Sequence, residues 1–227
     1  MPQIWITDLR SGQSRRIEFP EPAFLTLAYT NREYDTTKFR YDYQSFITPQ
    51  SIFEYDMEKG TSTLLKQKEV PGGYDRTRYQ VEQIYATAAD GVKVPISVVH
   101  LKGTKLDGKG ALYLEGYGSY GFPIDINFNS NLFSMVDRGV VAAVAHIRGG
   151  GEMGKAWHDD GRMMHKKNTF TDFITCAEYL VANGYGSKDL KTNLNPAGHG
   201  GASGRYDRLK EAAFDYAFIL TQMGIEN

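Results

Sequence analysis

The 227-residue chain has one cysteine, Cys176, so no disulfide can form within it, and a reducing, cytoplasmic compartment is the expected home. It has no run of about eighteen apolar residues, and Met1-Pro2-Gln3-Ile4-Trp5 lacks the basic start and apolar core of a signal peptide. A membrane partner is therefore not expected. An excess of charge of one sign is also missing: 26 basic residues face 27 acidic ones, for a net charge of -1, which gives no reason to expect nucleic acid. Metal-binding spacings are absent, because the histidines are scattered and no HExxH or cysteine pair accompanies them. The letters Gly116-x-Gly118-x-x-Gly121 fit a dinucleotide fingerprint, but Pro123 and the stretch to Asn129 do not open a helix. No metal and no cofactor are expected. The last absence concerns serine. No serine has glycine at both minus two and plus two, and the nearest miss, Gly201-Ala202-Ser203-Gly204-Arg205, ends in arginine.

What remains, 41% hydrophobic and 23% charged residues, is the composition of a globular protein. The stretch from Ile4 to Ile17 reads as strand, turn, strand, and Ile52 to Leu65 repeats it 48 residues later without a gap. Asp8 matches Asp56, Gly12 matches Gly60 and Ser14 matches Ser62. A β-rich repeat of about 40 to 50 residues is the signature of a propeller blade, although two unrelated hairpins with the same turn chemistry would read alike. Lys38 to Ile47, with alternating Phe39, Tyr41 and Tyr43, adds another strand. Blades are stable only in arrays, so this β-rich part is expected to be the remnant of a larger propeller, beginning in mid-architecture.

Pro71-Gly72-Gly73 marks a boundary, giving domains at 1–73 and 74–227. Beyond it, Val81–Tyr85 and Val94–Leu101 form a hairpin about Ala89-Asp90-Gly91, and Ala111–Leu114 is a short strand. Val140–Ala145 is an apolar run suited to a strand covered on both faces. Thr169-Phe170-Thr171-Asp172 reads as a capping box with Asp in place of Glu, opening a helix that keeps Phe173, Cys176, Ala177 and Leu180 on one face until Gly184. A final helix begins near Tyr206. Alternating strands and helices make this half α/β with a largely parallel sheet.

Candidate site residues follow from chemistry. His199 lies in Gly198-His199-Gly200-Gly201, where small neighbours let a ligand approach an imidazole suited to proton transfer. Tyr117, between Gly116 and Gly118, is placed either to donate its phenol to a developing oxyanion or to pack on its own loop. Cys176 falls on an apolar helix face and reads as core, and Lys166-Lys167 reads as a solvated charge pair.

Several long motifs in order resemble the prolyl oligopeptidase family of serine peptidases, oligopeptidase B in particular. They are Tyr117-Gly118-Ser119-Tyr120-Gly121, His146-Ile147-Arg148-Gly149-Gly150-Gly151-Glu152, Lys167-Asn168-Thr169-Phe170-Thr171-Asp172-Phe173, and Ala197-Gly198-His199-Gly200-Gly201. The resemblance implies a partial α/β-hydrolase domain preceded by a β-propeller remnant, acting on short peptides. It assigns His199 to the triad histidine, Tyr117 to the oxyanion hole and Asp125 to the pocket for basic side chains, with Asn127 where a second acid is usual. It also implies an internal gap near 190/191, where the segment with the serine elbow and the triad aspartate is missing. The expected chemistry is acyl transfer, with this chain catalytically incompetent alone. Two rival readings are a non-catalytic peptide-binding or scaffold protein, and an esterase-like hydrolase using Ser119 or Ser203. No feature fixes an oligomeric state.

Overall fold

The computed structural model describes residues 2–188, 213–218 and 220–221. Its first part is β-rich. Strands β1 (Trp5–Thr7) and β2 (Ser14–Arg16) form a hairpin, and β3 (Phe24–Ala28), β4 (Lys38–Ser45), β5 (Ser51–Asp56) and β6 (Thr61–Gln67) form an antiparallel sheet in chain order. The 48-residue repeat holds down to the register. Trp5 pairs with Arg16 and Thr7 with Ser14. Forty-eight residues on, Phe53 pairs with Leu64 and Tyr55 with Ser62. Both turns also close the same way. The Asp8 carboxylate accepts from the Arg10 and Ser11 N–H groups, and Asp56 does so from Glu58 and Lys59. Gly12 and Gly60 then each take φ of 72° and donate to the aspartate carbonyl at 2.8 Å. Arg15 of β2 stacks on Tyr55 and donates to the Met57 carbonyl, which ties the two copies together. Strand β3 carries no clear alternation and is found only in the structure. No closed propeller is present among the described residues.

The second part is built on a four-stranded sheet in the order β7–β8–β10–β9, made of β7 (Tyr79–Thr87), β8 (Lys93–Leu101), β9 (Leu112–Glu115) and β10 (Val141–Ala145). Only β9 and β10 run parallel; β8 is antiparallel to both of its neighbours, so the expectation of a largely parallel sheet fails among the described residues. The reason is physical: a continuous apolar run reports burial on both faces and says nothing of direction.

Alternation along the strands sorts the core into two layers. Val141, Ala143 and Ala145 join Val94, Ile96 and Val98 beneath the long helix α3 (Lys167–Ala182), which contributes Cys176 and Leu180. Ala142 and Val144 point to the other face, where Val99 meets Phe133 and Val136 of the short helix α1 (Phe133–Val136). That second cluster also takes in Ala23, Phe46 and Ile47 from the β-rich part, so apolar contacts cross Pro71–Gly73. A Tyr74 hydroxyl donating to the Ile47 carbonyl at 3.0 Å adds to them. Helix α3 stops in a Schellman motif: Tyr185 N–H bonds Leu180 O, Gly184 N–H bonds Val181 O, and Gly184 adopts φ of 82°. Among the described residues no helix is long and apolar enough to cross a membrane.

Candidate active site

The loops that leave β9 and β10 at the same end of the sheet form one body. The first runs from Gly116 to Asn129 and the second from His146 to Gly154, followed by the short helix α2 (Lys155–Asp159). Backbone lies on backbone where they meet. A Cβ on Gly149, which has φ of 98°, would fall 2.1 Å from the Gly118 carbonyl oxygen. Gly121 N–H donates to Gly149 O at 3.0 Å, closing the contact. The glycines of both motifs therefore serve close packing of two loops rather than a phosphate.

Arg148 anchors this body from below. Its guanidinium makes a two-pronged bond to Asp172 of α3, at 2.8 Å from Nε and 2.6 Å from Nη2, and its Nη1 reaches Asp90 in the β7–β8 turn at 2.6 Å. Arg148 is 3% exposed and Asp172 is fully buried. The bond to Asp172, offset by burial and reinforced by Asp90, holds the guanidinium pKa above its usual value. This overturns the capping-box reading of Thr169-Phe170-Thr171-Asp172. The helix starts at Lys167, Asp172 is taken by Arg148, and Thr169 Oγ1 donates toward the carbonyls of Arg148 at 2.7 Å and Gly161 at 3.1 Å. Two residues typical of a cap are used instead for tertiary contacts.

Tyr117 sits on the first loop with about a third of its surface exposed. Asp125 is on the same loop. Desolvation of its carboxyl, and behind it the charge of Glu152, raise its pKa, although the residue as a whole is exposed. Glu152 also accepts from Ile124 N–H at 3.1 Å and so pins the backbone next to Asp125. Asn127 is exposed two residues on. His199 and Ser203 lie outside the described residues, as do the 190/191 junction and the start of the final helix; residues 213–218 are helical.

Three of the other histidines serve structure. His146 is 1% exposed and bonds Ser97 Oγ at 2.7 Å, and Ser97 Oγ lies 2.9 Å from Gln83. His100 bonds Glu82 at 2.8 Å, and His158 Nδ1 donates to Gly149 O at 3.0 Å. No cluster of His, Cys, Asp and Glu suited to a metal occurs among the described residues. Cys176 is buried as expected, with burial pushing its thiol up to about 12. Lys166, read as solvated, is instead partly buried against the first loop: its Nζ lies 2.7 Å from Gly118 O, 2.8 Å from Ser119 Oγ and 3.3 Å from Thr169 Oγ1. Its loop partners are 47 and 48 residues away, so no local spacing could have shown it.

Comparison with known proteins places this arrangement. Residues 126–191 match the model of the prolyl oligopeptidase family, and residues 1–68 match that of the prolyl oligopeptidase N-terminal β-propeller domain. The chain is 43% identical over 211 residues to dipeptidyl aminopeptidase BI of Pseudoxanthomonas mexicana, covering 92% of this chain and 29% of that protein. It is 36% identical over 204 residues to protease 2 of Moraxella lacunata, covering 90% of this chain and 29% of the relative. Oligopeptidase B from Leishmania major superposes with a TM-score of 0.70 at 36% identity, over 81% of this chain and 27% of its own. The chain thus spans under a third of the length of these relatives. Its β-rich part and its α/β-hydrolase part follow in the order of the two family models, and the chain belongs to the prolyl oligopeptidase family.

Proposed function

We propose that this chain carries the substrate-handling portion of a serine peptidase acting on short peptides, with a β-propeller portion at 1–73 and a hydrolase portion at 74–227. In this reading Tyr117 donates to the oxyanion, His199 shuttles the proton, and Asp125 attracts an Arg or Lys side chain of the substrate. The observation that carries it is the shared loop: Tyr117 and Asp125 are exposed on one segment that Arg148, Glu152 and the glycine contacts hold in place. The sequence supplies no serine elbow, so peptide turnover by this chain is not expected. Calorimetric titration with short peptides containing Arg or Lys, beside mass spectrometry of the same mixtures, tests both halves. Binding that weakens on Asp125→Asn, without cleavage, is expected. Equal binding of neutral peptides would remove the Asp125 assignment, and specific cleavage would overturn the inactivity.

A second reading, peptide binding as the chain's own purpose, draws on a cleft of about 740 Å³ in the β-rich part. Tyr41, Tyr43, Phe53 and Tyr74 line it, with Glu18 and Arg76 beside them. Aromatic walls with a few charges are the composition of a ligand groove. Peptide affinity that survives Asp125→Asn and falls on Phe53→Ala would favour this reading.

A further inference from the structure

We propose that Ser119 and Lys166 form a nucleophile–base pair that takes activated acyl and phosphonyl groups, a reactivity separate from the family's peptidase chemistry.

The pair is within hydrogen-bond reach, with Lys166 Nζ 2.8 Å from Ser119 Oγ. A lysine can serve as the base for a serine only as the neutral amine. Here burial and the helix end work toward that form, while the Phe170 ring, 5.8 Å from Nζ, works toward the charged one. No carboxylate pairs with Lys166 among the described residues, burial lowers its pKa, and it stands at the N-terminal end of α3, where the helix dipole opposes positive charge. The neutral amine is also fully bonded. The charged form donates to Gly118 O, Ser119 Oγ and Thr169 Oγ1 at 2.7, 2.8 and 3.3 Å; the neutral form keeps the bonds to Gly118 and Thr169 and turns its lone pair to the serine hydroxyl. Of the two hydroxyls at Nζ, that of Thr169 already donates to Arg148 O at 2.7 Å, which leaves Ser119 as the one with a proton to give.

The loop presents the serine in the manner of a strained turn. Gly118 before it has φ of 59°, and Tyr120 after it has φ of 57°, which is uncommon for a residue other than glycine. Ser119 remains partly accessible to solvent. Its own N–H has no hydrogen-bond partner among the described residues and is available to a developing oxyanion. In the reaction the Ser119 O–H bond breaks, its proton passes to Lys166 Nζ, and Oγ bonds the acyl carbon as the alkoxide departs with its electron pair. Lys166 returns the proton to that alkoxide, and water later hydrolyses the acyl ester. With a fluorophosphonate, Oγ bonds phosphorus and fluoride leaves, so the product is stable.

The test is fluorophosphonate labelling of the whole chain, read by intact mass and peptide mapping. One adduct per chain on Ser119 is expected, with none on Ser119→Ala. Lys166→Arg keeps a long side chain with N–H donors but is always protonated and cannot accept the proton, and is expected to slow labelling by about 10²–10⁴-fold. Lys166→Gln, which has no basic nitrogen, repeats the measurement should the arginine variant lose its far-UV dichroism. An unlabelled wild-type chain, an adduct on Ser203, or wild-type labelling rates in folded Lys166→Arg would each overturn the proposal. Because peptide binding is not the readout, failure here is distinguishable from failure of the peptidase reading.

Discussion

Replacing Asp172 by alanine strips Arg148 of the partner that makes three of its hydrogen bonds, counting the backbone N–H at 3.1 Å. Arg148 cannot turn to water, since only 3% of it is exposed, and Asp90 alone would then face it from a side chain that is 46% exposed. Breaking a buried ion pair from one side costs about 3–5 kcal/mol. That is a large part of the roughly 5–15 kcal/mol that holds a domain folded. At this chain length, each kcal/mol moves the melting temperature by about 2–4 °C, so a fall of roughly 6–20 °C is expected. Thermal and urea unfolding followed by tryptophan fluorescence is the suitable assay, because Trp157 donates to His146 O at 3.2 Å within the same body. Asp90→Ala is the internal control and should cost about 1 kcal/mol or less, as an exposed partner does. The double replacement Arg148→Met with Asp172→Leu should recover most of the loss, since it leaves no buried charge. Asp172→Ala no more damaging than Asp90→Ala would refute the reasoning.

Two further outcomes follow from local geometry. Gly149→Ala should destabilise the chain by at least about 1–3 kcal/mol, the usual cost of a left-handed non-glycine residue, before the clash with Gly118 O is added; urea midpoints check this. The Asp56 carboxylate is held down at about 2, first by Lys38 at 2.7 Å and then by the N–H groups of Lys59 and Glu58. Its folded pKa lies below the unfolded value of about 3.9, so its stabilising contribution is complete above that pH and disappears as pH falls toward about 2. Wild type and Asp56→Asn should therefore differ at pH 6 and converge near pH 2 in unfolding scans.

The repeat was legible because its turn depends on fixed local chemistry, an aspartate closing the turn and a glycine at positive φ four residues later. Hydrophobic runs likewise placed β7 to β10 to within about two residues, since burial on one or both faces leaves a pattern in the letters. Strand direction leaves none, and the sheet came out mixed. Tertiary use of ordinary cap residues was equally hidden. Asp172 and Thr169 spell a helix start, yet Arg148 claims one and carbonyls from two loops claim the other. Of the candidate site, Tyr117 and Asp125 are on one accessible loop, whereas Lys166 owes its place to residues distant in the chain.

The contact between Gly118 and Gly149 has a mechanical consequence. Two segments that touch through main chain have no side chain to act as a cushion, so a displacement of one is transmitted to the other undamped. The loop bearing Tyr117 cannot adapt to a ligand unless the Arg148 loop travels with it, and that loop is bolted to α3. A ligand taken up there, as proposed above, would meet a stiff template, and a change in one loop would call for a matching change in the other.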